Sequence, residues 1–136
     1  MTGERAARNP RGLEGALRKF ALSYPEATED YPWGHRALKV KGKSFAFLVA
    51  EKDALVLSVK LPKTGYQALA LPFVKPTEYG LGKAGWVTAR IPPRASATGK
   101  YGQQCRDWLD ESYRAVAPKR VVVSLGSGGP HARSAK

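Results

Sequence analysis

A chain of 136 residues, 43% apolar and 10% aromatic, has the length of one ordinary domain and enough apolar surface for a core. Its 23 Lys and Arg against 11 Asp and Glu leave a formal charge of +12, which favours polyanionic partners or serves solubility alone. No run approaches the roughly 18 apolar residues of a membrane span, no signal-like segment follows Met1, and the single cysteine, Cys105, excludes an internal disulfide or a Cys-based metal cluster. A cytoplasmic location and no membrane partner are expected.

The charge is uneven. Residues 1–30 hold five basic and five acidic side chains, residues 31–100 hold twelve and three, and residues 101–136 hold six and three. The first eleven residues are polar, and the Gly/Ser-rich end of the chain is flexible by composition, so the expected layout is a disordered segment 1–11, a folded domain 12–120 and a tail 121–136.

Leu13, Leu17, Phe20, Ala21 and Tyr24 recur at helical spacing until Pro25, predicting a first amphipathic helix over 12–23. Glu26 to Asp30 reads as an acidic turn. Three strands follow, Arg36 to Lys41, Ser44 to Ala50 and Ala54 to Lys60, joined by turns short enough for antiparallel hairpins. In the first, Leu38 and Val40 alternate with Lys39 and Lys41; in the second, Phe45, Phe47 and Val49 share a face; in the third, Leu55, Leu57 and Val59 do. Pro62 starts a short helix containing Tyr66, Leu69 and Ala70. A strand over Trp86 to Ile91 follows, with the stretch Lys75 to Tyr79 able to pair with it. The last helix, 98–117, places Tyr101, Cys105, Trp108, Leu109, Ser112, Tyr113 and Val116 on one face, with Asp107, Asp110 and Glu111 pointing away. Helix, three strands, helix, two strands, helix describes an α+β two-layer sandwich, an antiparallel sheet with helices packed on one face.

Few motifs promise chemistry. Gly80-Leu-Gly-Lys-Ala-Gly85 has dinucleotide-fingerprint spacing but precedes a strand, so no helix N-terminus receives a phosphate; a loop presenting Lys83 is the reading. Ala97-Thr-Gly-Lys100 lacks the phosphate-loop spacing. His35 follows Glu29 and Trp33, which together could line a pocket, yet the only other histidine is His131, and no metal triad forms. Cys105 lies on an apolar stripe. No catalytic residue, metal or cofactor is expected. Trp86, beside Lys83 and on the strand face of Thr88 and Arg90, is the one aromatic among basic residues able to stack on bases.

Several segments, taken in order, carry a resemblance: Glu29-Asp-Tyr-Pro-Trp-Gly-His35, Gly42-Lys-Ser-Phe-Ala46, Val59-Lys-Leu61, Pro72-Phe73, Tyr79-Gly80, Gly85-Trp-Val87 and Glu111-Ser-Tyr113. Over about residues 13–120 the chain resembles the MmcQ/YjbR-like proteins. The resemblance implies a frataxin-like or secretion-chaperone-like α+β fold in a double-wing arrangement. It also implies DNA binding, with no catalytic residues to carry over. With the charge, it makes nucleic acid the expected partner, DNA first and RNA as the alternative, met by Lys39, Lys41, Lys43, Lys60, Lys63, Lys83, Trp86 and Arg90. A protein-binding adaptor and a small-molecule site around Glu29, Trp33 and His35 are the competing readings.

Overall fold

The first apolar repeat folds as its spacing demands. In the computed structural model, which describes residues 10–31, 35–78, 81–92 and 95–125, helix α1 spans Pro10–Leu22 and buries Leu13, Leu17 and Ala21 at steps of four. Tyr24 completes the buried stripe just past its end.

The segment expected to be an acidic turn is instead strand β1, Ala27–Asp30, paired antiparallel with β2, Arg36–Val40. Glu and Asp have little strand propensity, but β1 is short and lies at the sheet edge, where charged residues are tolerated and discourage pairing with other chains. Strands β3 (Lys43–Ala50), β4 (Leu55–Lys60), β5 (Val74–Pro76) and β6 (Trp86–Ile91) complete one sheet in the order β1-β2-β3-β4-β6-β5, every neighbouring pair antiparallel.

Strand β3 departs from simple alternation. Leu38 pairs with Ala46 but Lys39 pairs with Ser44, so Phe45 is an extra residue in the ladder, a β-bulge. Phe45 and Ala46 are therefore both fully buried, with Phe45 edge-on to Tyr113 in the helical layer at 5.2 Å. Phe47 points to the other face, where it packs on Trp86 at 5.5 Å, and Val49 follows it there. The expected shared face of Phe45, Phe47 and Val49 is corrected accordingly. Elsewhere alternation holds: Leu55, Leu57 and Val59 of β4 and Val87, Ala89 and Ile91 of β6 pair across the ladder and form the core face.

The helical layer is α1 with α3, Lys100–Val116, which lies across β3 and β4 and against α1. Gly102 is buried where α3 meets the preceding loop; a Cβ there would stand 2.2 Å from the Ala97 carbonyl oxygen. A short helix α2, Gly65–Leu69, is anchored by Ala68, while Tyr66 is 92% exposed and Leu69 39%, so these two are not core residues. Pro118 breaks α3, and helix α4, Lys119–Leu125, follows. Val121 and Leu125, in the segment expected to be a tail over 121–136, are buried in the main core, and residues 10–11 of the expected disordered segment 1–11 belong to α1; residues 1–9 and 126–136 lie outside the described residues.

Among the described residues no helix is long and apolar enough to cross a membrane. The fold is an α+β two-layer structure, with a six-stranded antiparallel open sheet and four α-helices among the described residues.

Candidate nucleic-acid interface

Antiparallel pairing decides which lysines meet. Strand β2 ends at Val40, β3 starts at Lys43, β4 ends at Lys60 and β6 starts at Trp86, and the register Val40↔Lys43, Ala46↔Val59 and Lys60↔Trp86 aligns these ends. The β2–β3 turn with Lys41 and Lys43, the segment Lys60 to Lys63, and the 3₁₀ turn Leu81–Ala84 with Lys83 therefore share one end of the sheet, with Lys39 one step inside it. Arg90 pairs with Val56 near the opposite end, four residues or about 13 Å along the strand from Trp86. The structure brings six of the seven candidate cations together and separates Arg90.

The β2–β3 turn is built with φ of +53° at Lys41 and +80° at Gly42, the double left-handed geometry that suits the twist of a hairpin. Glycine adopts it freely, but a lysine does so at a cost of about 1 kcal/mol or more. Lys41 is partly steadied by Glu26 at 3.0 Å. Hydrogen bonds from Lys41 and then Arg120 hold the Glu26 carboxyl below the usual carboxylate range.

The cations differ in what they face. Lys39 pairs with Asp30 at 3.1 Å and Arg90 with Glu51 at 2.8 Å, whereas Lys43, Lys60, Lys63 and Lys83 have no carboxylate partner among the described residues. Four uncompensated ammonium groups on one end form a local positive field. Trp86 occupies the sheet face expected for it, but at 8% exposure and packed on Phe47 it offers little surface for stacking.

The residues considered for a pocket part company. Glu29 faces the helical layer, where Arg18 grips both its carboxylate oxygens at 2.7–3.0 Å and Arg36 donates to it as well. His35 is exposed and opens on the other face of the sheet, in a cleft of about 400 Å³ with Val49, Val56, Lys75 and Arg90. Trp33 lies outside the described residues. Cys105 is fully buried, and burial pushes its thiol up to about 12.

The geometry invites comparison with known proteins. A family model described as YjbR matches residues 22–115, which is 94 of the chain's 136 residues. The chain belongs to the YjbR family. Among curated proteins none matches it. The YjbR match runs from the last residue of α1 into the final turn of α3, so it takes in the whole sheet and leaves α4 outside.

Within the YjbR region, Glu111-Ser112-Tyr113 proves to be three consecutive fasteners. The Glu111 carboxylate accepts the Lys63 and Thr64 amides at 2.6 and 3.1 Å and the Thr64 hydroxyl at 2.7 Å, serving the amides just ahead of α2. Ser112 donates to the Phe45 carbonyl at 2.5 Å and accepts the Lys60 amide at 2.8 Å. Tyr113 donates to the Pro25 carbonyl at 2.6 Å and stacks on Tyr24 at 4.3 Å. Asp110, also expected to point outward, accepts from the Tyr24 hydroxyl and from Arg114. The residues that carry the resemblance here hold the Lys60 and Lys63 backbone in place, and Glu111 also lines two neighbouring clefts, of about 470 and 520 Å³. Sequence periodicity misses Glu111 because a carboxylate at the margin of an apolar stripe looks solvated; the signal lay in Pro62-Lys-Thr-Gly65, a helix start with no acidic residue of its own to receive its amides.

Proposed function

We propose that this YjbR-family protein is a cytoplasmic, non-catalytic nucleic-acid-binding protein, DNA being its first candidate ligand, and that it grips phosphates with the turn end of its sheet. The observation that supports the reading is the gathering of Lys43, Lys60, Lys63 and Lys83, without carboxylate partners among the described residues, on the end where β2–β3, β4 and β6 align. The expectation of DNA binding carried by the family resemblance points the same way.

Fluorescence anisotropy with a labelled duplex over a range of salt concentrations tests it. Each phosphate neutralised on duplex DNA contributes about −0.9 to the slope of log affinity against log salt, so four lysines give a slope of about −3.6. Replacing Lys43 and Lys83 together by alanine flattens the slope by about 1.8, and Arg90→Ala at the far end leaves it unchanged. Binding indifferent to salt, or equally sensitive to Arg90, refutes the assignment.

A further inference from the structure

Between α2 and the 3₁₀ turn, at the same end of the sheet, runs a groove of about 430 Å³. Tyr66 and Leu69 line it on the α2 side, Gly82 and Lys83 on the other, with the largely buried Trp86 between them and Lys63 beside Tyr66. Its size falls within the range of about 300–1,000 Å³ typical of sites for small organic groups. A single planar base enters a groove of this kind; a base locked in a duplex does not.

Three features set its chemistry. The walls carry exposed apolar surface that the fold does not use: Tyr66 is 92% exposed, Leu69 39%, and Leu81 nearby 38%. Its two cations, Lys63 and Lys83, are both unpaired, and no acidic side chain lines it among the described residues. Both walls are fixed beforehand. Glu111 holds the Lys63 and Thr64 amides, and Gly82 is seated so close to Pro76 that a Cβ would stand 2.9 Å from the proline Cβ.

Apolar and aromatic walls flanked by uncompensated ammonium groups suit a base between two phosphates. We propose that the groove takes an unpaired base of single-stranded nucleic acid, with Tyr66 as the stacking face and Lys63 and Lys83 on the flanking phosphates. The inference rests on the nucleic-acid reading above and deepens it: the stacking aromatic is Tyr66 on α2, with Trp86 forming the wall behind it.

The test compares a labelled single-stranded oligothymidylate with a duplex of equal length, against wild type, Tyr66→Ala, Tyr66→Phe and the double variant Lys63→Ala, Lys83→Ala. Tyr66→Ala weakens single-strand binding about fivefold or more and leaves duplex binding and the salt slope unchanged, while Tyr66→Phe retains wild-type affinity. The double lysine variant flattens the single-strand slope by about 1.4. Because Tyr66 is almost wholly exposed, its variants keep the wild-type melting temperature, which separates loss of binding from loss of fold. Duplex binding with single-strand affinity indifferent to Tyr66 overturns this inference and leaves the phosphate-binding reading standing. Absence of binding to either oligonucleotide at low salt overturns both.

Discussion

Ser112→Ala removes one oxygen and unfastens two strands. The side chain is fully buried, and its hydroxyl serves backbone groups that the ladder leaves over: the carbonyl of Phe45, the bulged residue, and the amide of Lys60, one step past the last β3–β4 pair. A buried polar group left unsatisfied costs about 1–3 kcal/mol. The Phe45 carbonyl bond is wholly buried and the Lys60 amide bond half-buried, so the second contributes toward the low end and the total is about 2–4 kcal/mol. Against a typical stability of about 5–15 kcal/mol this is a large share. Urea unfolding followed by tryptophan fluorescence reads it: with a slope of about 2 kcal/mol per molar, the midpoint falls by about 1–2 M at unchanged slope. A loss below about 0.5 kcal/mol would show that water replaces the hydroxyl and that Ser112 is not a fastener.

The remaining predictions concern packing and titration. Gly102→Ala destabilises by about 2 kcal/mol or more although alanine is the better helix former, because its Cβ collides with the Ala97 carbonyl; a raised melting temperature would contradict this. Cys105, its thiol pushed up to about 12, stays unreactive toward a thiol reagent at pH 8 in the folded protein and reacts at once in guanidinium. Burial pushes Tyr113 up to about 12 and Tyr24 higher still, the latter also through its bond to Asp110, so absorbance titration finds Tyr24 and Tyr113 still protonated at pH 11. The unfolded chain loses those protons near pH 10 while the folded one keeps them. Stability from this source is therefore complete below pH 10 and falls as pH rises toward 12, which thermal melts across that window measure.

Where periodicity was undisturbed, the elements were legible. Leu13, Leu17 and Ala21 announce α1, and the alternation in β4 and β6 marks the core face because antiparallel strands with one solvent side must alternate. Strand β3 misleads because a bulge at Phe45 shifts the parity of every later residue, and nothing in Ser44-Phe-Ala-Phe47 signals the extra residue. Strand β1 was hidden by composition, since Ala27-Thr-Glu-Asp30 holds its edge place through the backbone ladder and through ion pairs of Glu29 and Asp30 with Arg36 and Lys39 of β2, not through an apolar stripe. Helix α2 is too short for any period to show, so the sequence marks the helix by Tyr66, Leu69 and Ala70 but not that Ala68 is its buried residue and Tyr66 its exposed one. The candidate cations could be named from the sequence, yet their division, six lysines at one end and Arg90 near the other, depends on register, which only the paired sheet supplies.

That division also separates two kinds of cation. Arg18, Arg36, Arg90, Arg114 and Arg120 each meet a carboxylate within 4.0 Å, and Arg106 donates to the Ala97 carbonyl. The planar fork of arginine is thus spent on internal pairing, as around Glu29, where Arg18 and Arg36 converge and Arg36 also reaches Glu14. Among the described residues the cations left uncompensated at the turn end are all lysines. An ammonium group is a compact point charge that attracts phosphate without the planar fork by which arginine fixes bidentate geometry. A surface of such groups neutralises backbone and discriminates weakly among sequences, so on the proposed reading selectivity comes from strand state, through access of an unpaired base to Tyr66, and not from base identity.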